Sequence, residues 1–213
     1  MKFHRAQLVV IRRIIAVLYI AVIVLVILVV GWDIQKITDT LQAYPTWGPV
    51  LYVMSHVVST VIAPLASLPL VPFATVAWGI LATSLLNIIG WWIGSLIAFE
   101  ISRTLGRPFI SVFMPLDRAN AWIRQFSDKT HFVSIILTRL MLPVEIPSYI
   151  LGLFPAISFR VYAIATLIGI IPFAFIWSIL GKAFLEQTWV LFSITALGGI
   201  ILFSLSWLVW RYH

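Results

Sequence analysis

Residues 40–99 contain no Asp, Glu, Lys or Arg. Sixty uncharged residues would make roughly 90 Å of helix, about three hydrocarbon thicknesses of a bilayer. They cannot form one rod, or three clean ones. Pro45, Pro49, Pro64, Pro69 and Pro72 punctuate the run, and "ASLPLVPFATVAWG" cannot be a single regular helix. A soluble domain would have to hide this run in its core, and the composition leaves too little polar surface to do so. Hydrophobic residues make up 62% and charged residues 10% of the chain, where soluble domains carry roughly 25% charged residues. The sequence therefore predicts an all-α polytopic membrane protein.

The remaining spans follow from length and charge. Residues 14–32 are nineteen uncharged residues behind a basic start, "MKFHRAQLVVIRR". They are too long for a signal-peptide core and lack a small-residue cleavage site, which reads as a retained signal anchor. Residues 33–46 place Ile34, Ile37, Leu41 and Tyr44 at helical spacing among polar residues, as an interfacial stretch would. A clean span is expected at 83–102, with Gly90, Gly94 and Ala98 spaced for close helix contact. Residues 103–130 carry a net charge of +3 and an apolar stripe of Leu116, Ala119, Ile123 and Phe126, the pattern of an amphipathic helix on the membrane surface. Spans at 161–181 and 188–210 close the chain, giving about four to five transmembrane helices.

The positive-inside rule orients these spans. The basic N-terminus and the 103–130 link go to the cytoplasm, so 47–102 crosses an odd number of times. With one clean span at 83–102, the segment 47–82 starts and ends outside, either as a hairpin dipping in or as a helix with a broken return. If 131–155 dips in from the cytoplasm, eleven Lys and Arg lie inside and two outside; a full crossing gives ten and three. The first count and the breakers favour a second hairpin, with both termini cytoplasmic. The organisation is then 1–46 as basic start, anchor and interfacial segment, 47–185 as a transport domain, and 186–213 as a terminal transmembrane helix.

The two broken segments are alike. "LPLVPFATVAWG" (68–79) and "LPVEIPSYILG" (142–152) each hold Leu-Pro, a second Pro, and a Gly further on. Pro69, Pro72 and Gly79 are the expected hinges of one, and Pro143, Pro147 and Gly152 those of the other. Paired Pro-interrupted segments entering from opposite sides point to an inverted repeat with its site where the broken helices meet. Prolines kinking ordinary transmembrane helices would give the same letters.

"FEISRTLGRP" (99–108), "TRLMLPVEIPSYILGLF" (138–154) and "IGIIPFAFIWSILGKAF" (168–184) resemble the DedA or VTT-domain family, also called SNARE-associated Golgi proteins. The resemblance covers about residues 60–185. It implies two opposed re-entrant hairpins and the transport or scrambling of lipids, including polyprenyl phosphate carriers, often dependent on a proton gradient. By motif, Arg139 stands at the family's second-hairpin arginine. Many members carry an acid in the first hairpin and a Gly-Asp in the following span. Here "PLVPFAT" has no acid and Gly94-Ser95 replaces Gly-Asp. Proton coupling through the first hairpin is thus not implied.

An arginine near mid-membrane costs about 2.5–3.5 kcal/mol on insertion scales, so it should face protein, water or a ligand. Arg139 is expected either to bind phosphate, with Ser148 and Tyr149 beside the headgroup, or to pair with Glu145 across a break at Pro143. Glu145 is also the candidate proton-sensitive carboxylate. Glu100 and Arg103, three residues apart, are expected to form a local helix pair. His56 is expected to be a hydrogen-bonded packing residue rather than a relay.

The expected partners are membrane lipids and their anionic headgroups. The net charge of +7 belongs to membrane flanks rather than to nucleic acid, and a homo-oligomer remains open. No cysteine, metal-ligand cluster or hydrolase motif is present, so no metal, cofactor or enzymatic chemistry is expected. Bacterial inner membrane is the expected location. A proton-coupled transporter of a small solute or ion, or a non-transporting scaffold, are the alternatives to a lipid translocase.

Overall fold

The computed structural model describes residues 39, 42–62, 67–113, 131–142 and 144–212. The expected anchor at 14–32, most of the interfacial stretch 33–46, most of the amphipathic link 103–130, and Pro143 lie outside them. Among the described residues there is no strand. Six helices are α1 (Trp47–Val61), α2 (Val71–Phe113), α3 (His131–Met141), α4 (Glu145–Gly152), α5 (Phe159–Leu185) and α6 (Trp189–Tyr212). A 3-10 turn, Leu68–Leu70, leads into α2.

Among the described residues, three stretches are long and apolar enough to cross a membrane: Leu68–Gly106, Phe159–Leu185 and Trp189–Trp210. The first is not a continuous rod. Gly79 (φ 80°, ψ 167°) and Gly106 (φ 67°, ψ −157°) leave helical geometry, dividing α2 into a short arm at 71–78, a long section at 80–105 and a C-terminal piece. Only glycine occupies such positive-φ backbone without steric cost. The 15-residue α1 reaches roughly 22 Å, short of a bilayer's hydrocarbon thickness.

The long section of α2 is sided. Leu81, Leu85, Ile89, Ile93 and Ile97 recur every four residues and are exposed, whereas Ser84, Asn87, Ser95, Ala98 and Ser102 are buried. Ile164, Ile168 and Ile171, at steps of four and three, are exposed on one side of α5. An apolar exterior around a partly polar interior inverts the soluble pattern and is what a helix bundle facing lipid requires.

Contacts fix the helix directions. Tyr52 bonds Asn87, while His56 lies under Gly90 and Thr60 under Gly94. Both numbers rise together, so α1 runs parallel to the long section of α2. The chain between them, including the arm 71–78, must therefore return to its starting level. The second half repeats the pattern. Phe132 and Ile135 pack near Val161 and Tyr162, Arg139 lies under Gly169, and Leu140 and Met141 adjoin Phe173 and Trp177. Thus α3 is parallel to α5, with α4 in the returning chain.

Between halves the direction reverses. Asn87 meets Ser178, Trp91 meets Phe173, and Phe99 stacks on Tyr162, so the long section of α2 and α5 are antiparallel. The halves also exchange their short arms. Pro72, at the start of the first arm, sits where Gly181 of α5 leaves space, and Gly152, at the end of α4, lies against the Phe99 carbonyl and Ser102 of α2. The Tyr149 hydroxyl donates to the Val61 carbonyl at the end of α1.

Candidate functional site

Arg139 is the largest polar side chain in the interior and has no exposed surface. It stands one turn from the end of α3, just before the break at 142–144, so its guanidinium reaches across the break. Nη1 donates to the Val144 carbonyl (2.9 Å), and Nη2 to Ser148 Oγ (3.1 Å) and the Tyr162 hydroxyl (2.6 Å). Nε and Nη2 both approach Thr166 Oγ1 at 3.4 Å. The Arg139 Cζ lies 5.4 Å from the Tyr162 ring centroid. Tyr162 then donates to the Ser95 carbonyl (3.0 Å), tying the cage to the first half. Ser148 passes its own proton to the Val144 carbonyl.

Every acceptor in this cage is neutral. Among the described residues the one ion pair is Lys182–Glu186 at 3.6 Å, on the rim of α5. Arg139 and Glu145 make no direct ion pair, although the two charges lie within electrostatic reach: the Val144 carbonyl takes the guanidinium, while Glu145 begins α4. The Glu100–Arg103 helix pair is not formed either. Arg103 donates instead to the Phe154 (3.0 Å) and Ile157 carbonyls and lies over the Phe99 ring at 4.5 Å. Those carbonyls belong to the turn after α4, where helix-terminal acceptors lack intrahelical donors.

The remaining expected residues are placed as follows. Ser148 belongs to the Arg139 cage; Tyr149 is buried but faces Val61, so only one of the two accompanies the guanidinium. Pro69 lies in the 3-10 turn, while Pro72 and Pro147 occupy the first turns of α2 and α4, where a missing amide proton costs no helical bond. Gly79 marks the kink of α2 and Gly152 the close contact on α2. Tyr162 and Thr166 were not singled out by sequence reasoning. Their signal is the four-residue spacing Tyr162, Thr166 followed by Gly169, a polar and small stripe on an apolar helix.

The first half holds a different polar interior. The Tyr52 hydroxyl donates to Asn87 Oδ1 (2.6 Å) and Asn87 Nδ2 to Ser178 Oγ (3.2 Å). His56, fully buried, places Nδ1 3.1 Å from the Tyr52 carbonyl.

The VTT domain family model matches residues 63–183, more than half of the chain. The chain belongs to the VTT-domain family. Searches of curated proteins and of solved structures returned no match. The matched VTT region begins before the 3-10 turn and ends beside Gly181, so it takes in both short arms, the Arg139 cage and most of α5. With its lipid-facing helices, this makes the chain an integral membrane protein.

Proposed function

We propose that this VTT-domain protein is a membrane lipid translocase. It moves a phosphate-bearing lipid, a phospholipid or a polyprenyl phosphate, between leaflets of a bacterial inner membrane, with both termini cytoplasmic. The observation that carries the reading is the buried charge of Arg139, whose hydrogen-bond partners are all neutral and which feels the Glu145 carboxylate only without contact. A guanidinium is always protonated, and this one is held inside an apolar bundle by neutral oxygens alone. An intramembrane cation with no carboxylate in direct contact favours an anionic ligand, and a planar fork suits phosphate. Opening the break at 142–144 exchanges the Val144 and Ser148 acceptors for phosphate oxygens.

Two further features support it. The parallel helices within each half and the antiparallel long helices between halves are what two opposed re-entrant hairpins of an inverted repeat require. An apolar groove of about 310 Å³, lined by Leu140, Met141, Phe173, Trp177, Gly199 and Phe203, begins at the residues that follow Arg139. A hydrocarbon chain fits such walls, and a small polar solute does not.

The test is lipid movement in proteoliposomes, read with a headgroup-labelled lipid and a membrane-impermeant quencher. Wild type should move lipid. Arg139→Lys, which keeps the charge but not the fork, should lose most of that rate while remaining folded. Solute flux under a proton gradient with no lipid movement would overturn the reading in favour of a solute transporter. An inactive wild type for every phosphate lipid tried would favour a scaffold.

A further inference from the structure

His56 and Arg139 make the same kind of helix contact in their halves, one that Thr60 also makes with Gly94. Each lies under a glycine of its half's long helix, Gly90 or Gly169. A β-carbon on Gly90 would come within 2.5 Å of His56 Cβ and 3.1 Å of the Val53 carbonyl. On Gly169 it would come within 2.6 Å of Arg139 Cβ and 3.1 Å of the Ile136 carbonyl. The side chain and the carbonyl three residues before it are the same two neighbours in both. The Arg139 place is saturated with hydrogen bonds. The His56 place is not.

The Tyr52 carbonyl can only accept, so the neutral His56 ring carries its proton on Nδ1, and Nε2 is left as an acceptor. Nε2 has no partner at full hydrogen-bond geometry; the Asn87 amide, already bonded to Tyr52 and Ser178, is near enough to make only a poorly aligned bond to it. One turn nearer the Gly79 kink, Thr83 Oγ1 and Ser84 Oγ are also buried without partners. Elsewhere Ser59, Thr60, Ser95 and Thr138 return their hydroxyl protons to carbonyls three or four residues earlier in their helices. For Thr83 the residue four earlier is Gly79, which has left helical geometry. Thr83 and Ser84 stand one turn before Asn87 on α2, at i−4 and i−3, and all three are buried; Asn87 bonds Tyr52.

Three buried orphans around an amide already bonded to Tyr52 and Ser178 are costly in a bundle interior, at the penalty of an unmade bond for each. Buried polar groups without protein partners are commonly satisfied by ordered water, which makes two to four bonds at such sites. We propose that the first half carries a water-binding site formed by His56 Nε2, Asn87, Thr83 Oγ1 and Ser84 Oγ. Water donates to Nε2 and bridges to the two hydroxyls. The polar interior is then hydrated in one half and dry in the other, whether or not the protein moves lipid.

The test uses the full chain in nanodiscs and two readouts. In millisecond hydroxyl-radical footprinting, radicals form from water itself, so a buried ring is modified when bound water lies beside it. Tyr52 and Tyr162 make a matched pair: both are buried, and both are hydrogen-bonded. Tyr52 and His56 should be modified several-fold faster than Tyr162. The second readout is thermal stability of Thr83→Val and Ser84→Ala. If the hydroxyls hold water, each substitution lowers Tm. If they are orphans, deleting them raises Tm or leaves it unchanged. Labelling of Tyr52 and His56 no faster than that of Tyr162 overturns the proposal, and so does a raised or unchanged Tm in both variants.

Discussion

The second half closes on a cation with all three guanidinium nitrogens engaged, while the first closes on a neutral ring with one nitrogen and two nearby hydroxyls unengaged. The backbone arrangement is shared: a short helix, a broken return, and a long helix whose glycines lie on the first. The difference teaches that a similar helix arrangement fixes where a polar side chain goes, not how it is satisfied. Around Arg139 the acceptors come from the break itself and from α5. Around His56 the kink at Gly79 removes helical geometry that the hydroxyl of Thr83 would otherwise use.

The sharpest way to separate the halves is to delete each central side chain. Arg139→Ala removes packing and takes a donor from Val144, Ser148, Tyr162 and Thr166, and should cost about 3–5 kcal/mol, as large core truncations do. His56→Ala should cost clearly less, because its ring makes fewer bonds. Reversible unfolding in mixed micelles would measure both, and equal losses would contradict the asymmetry of the two cages.

The shared scaffold is tested by Gly90→Ala and Gly169→Ala. Both β-carbons would meet a side chain and a carbonyl at nearly the same distances, so both should destabilise by about 1–3 kcal/mol. Gly198→Ala is the control, since nothing lies within 4 Å of its β-position. A penalty at only one of the first two sites would break the equivalence of the halves.

Gly79 and Gly152 hold similar places in the two Pro-rich motifs, yet for different reasons. Gly79→Ala meets no neighbour but forces an L-residue to φ 80°, a backbone cost of about 1–2 kcal/mol. Gly152 is helical, and an alanine there would press on the Phe99 carbonyl and Ser102 of α2. Enlarging the side chain separates the two. Gly152→Leu should be markedly worse than Gly152→Ala, whereas Gly79→Leu, which adds no branch at the β-carbon, should cost little more than Gly79→Ala. Thermal midpoints of the four variants would show it.

These glycines also mark how far the sequence could be read. The charge-free run, the prolines and the small-residue spacing announced a membrane bundle with two broken segments, because length and hydropathy are local properties. Arg139 was legible as the anomaly, being a charge where hydrocarbon was expected. Its partners were not. Glu145 was a sensible expectation by charge, but the cage is assembled from Tyr162 and Thr166 more than twenty residues away, and the register of α3 on α5 decides which side chains meet. The same holds for Asn87, whose bonds reach Tyr52 and Ser178 in two other helices.

Arg103 shows the limit at its smallest scale and yields the finest test. Spacing alone pairs it with Glu100, and a surface pair of that kind is worth roughly 0–1 kcal/mol, lost equally from either side. In the fold, Arg103 instead ties α2 to the turn after α4 through two carbonyls and rests on Phe99. A charged donor on backbone acceptors contributes about 1.5–3 kcal/mol, which partial exposure here reduces toward the lower end. Arg103→Gln should therefore cost about 1 kcal/mol or slightly more, and Glu100→Gln should fall within about 0.5 kcal/mol of wild type. A double-mutant cycle reads the coupling directly. Near-zero coupling means that the two residues act separately. A coupling as large as the Arg103 effect itself would restore the local pair and remove Arg103 from the contact that joins the first half's long helix to the second half's short one.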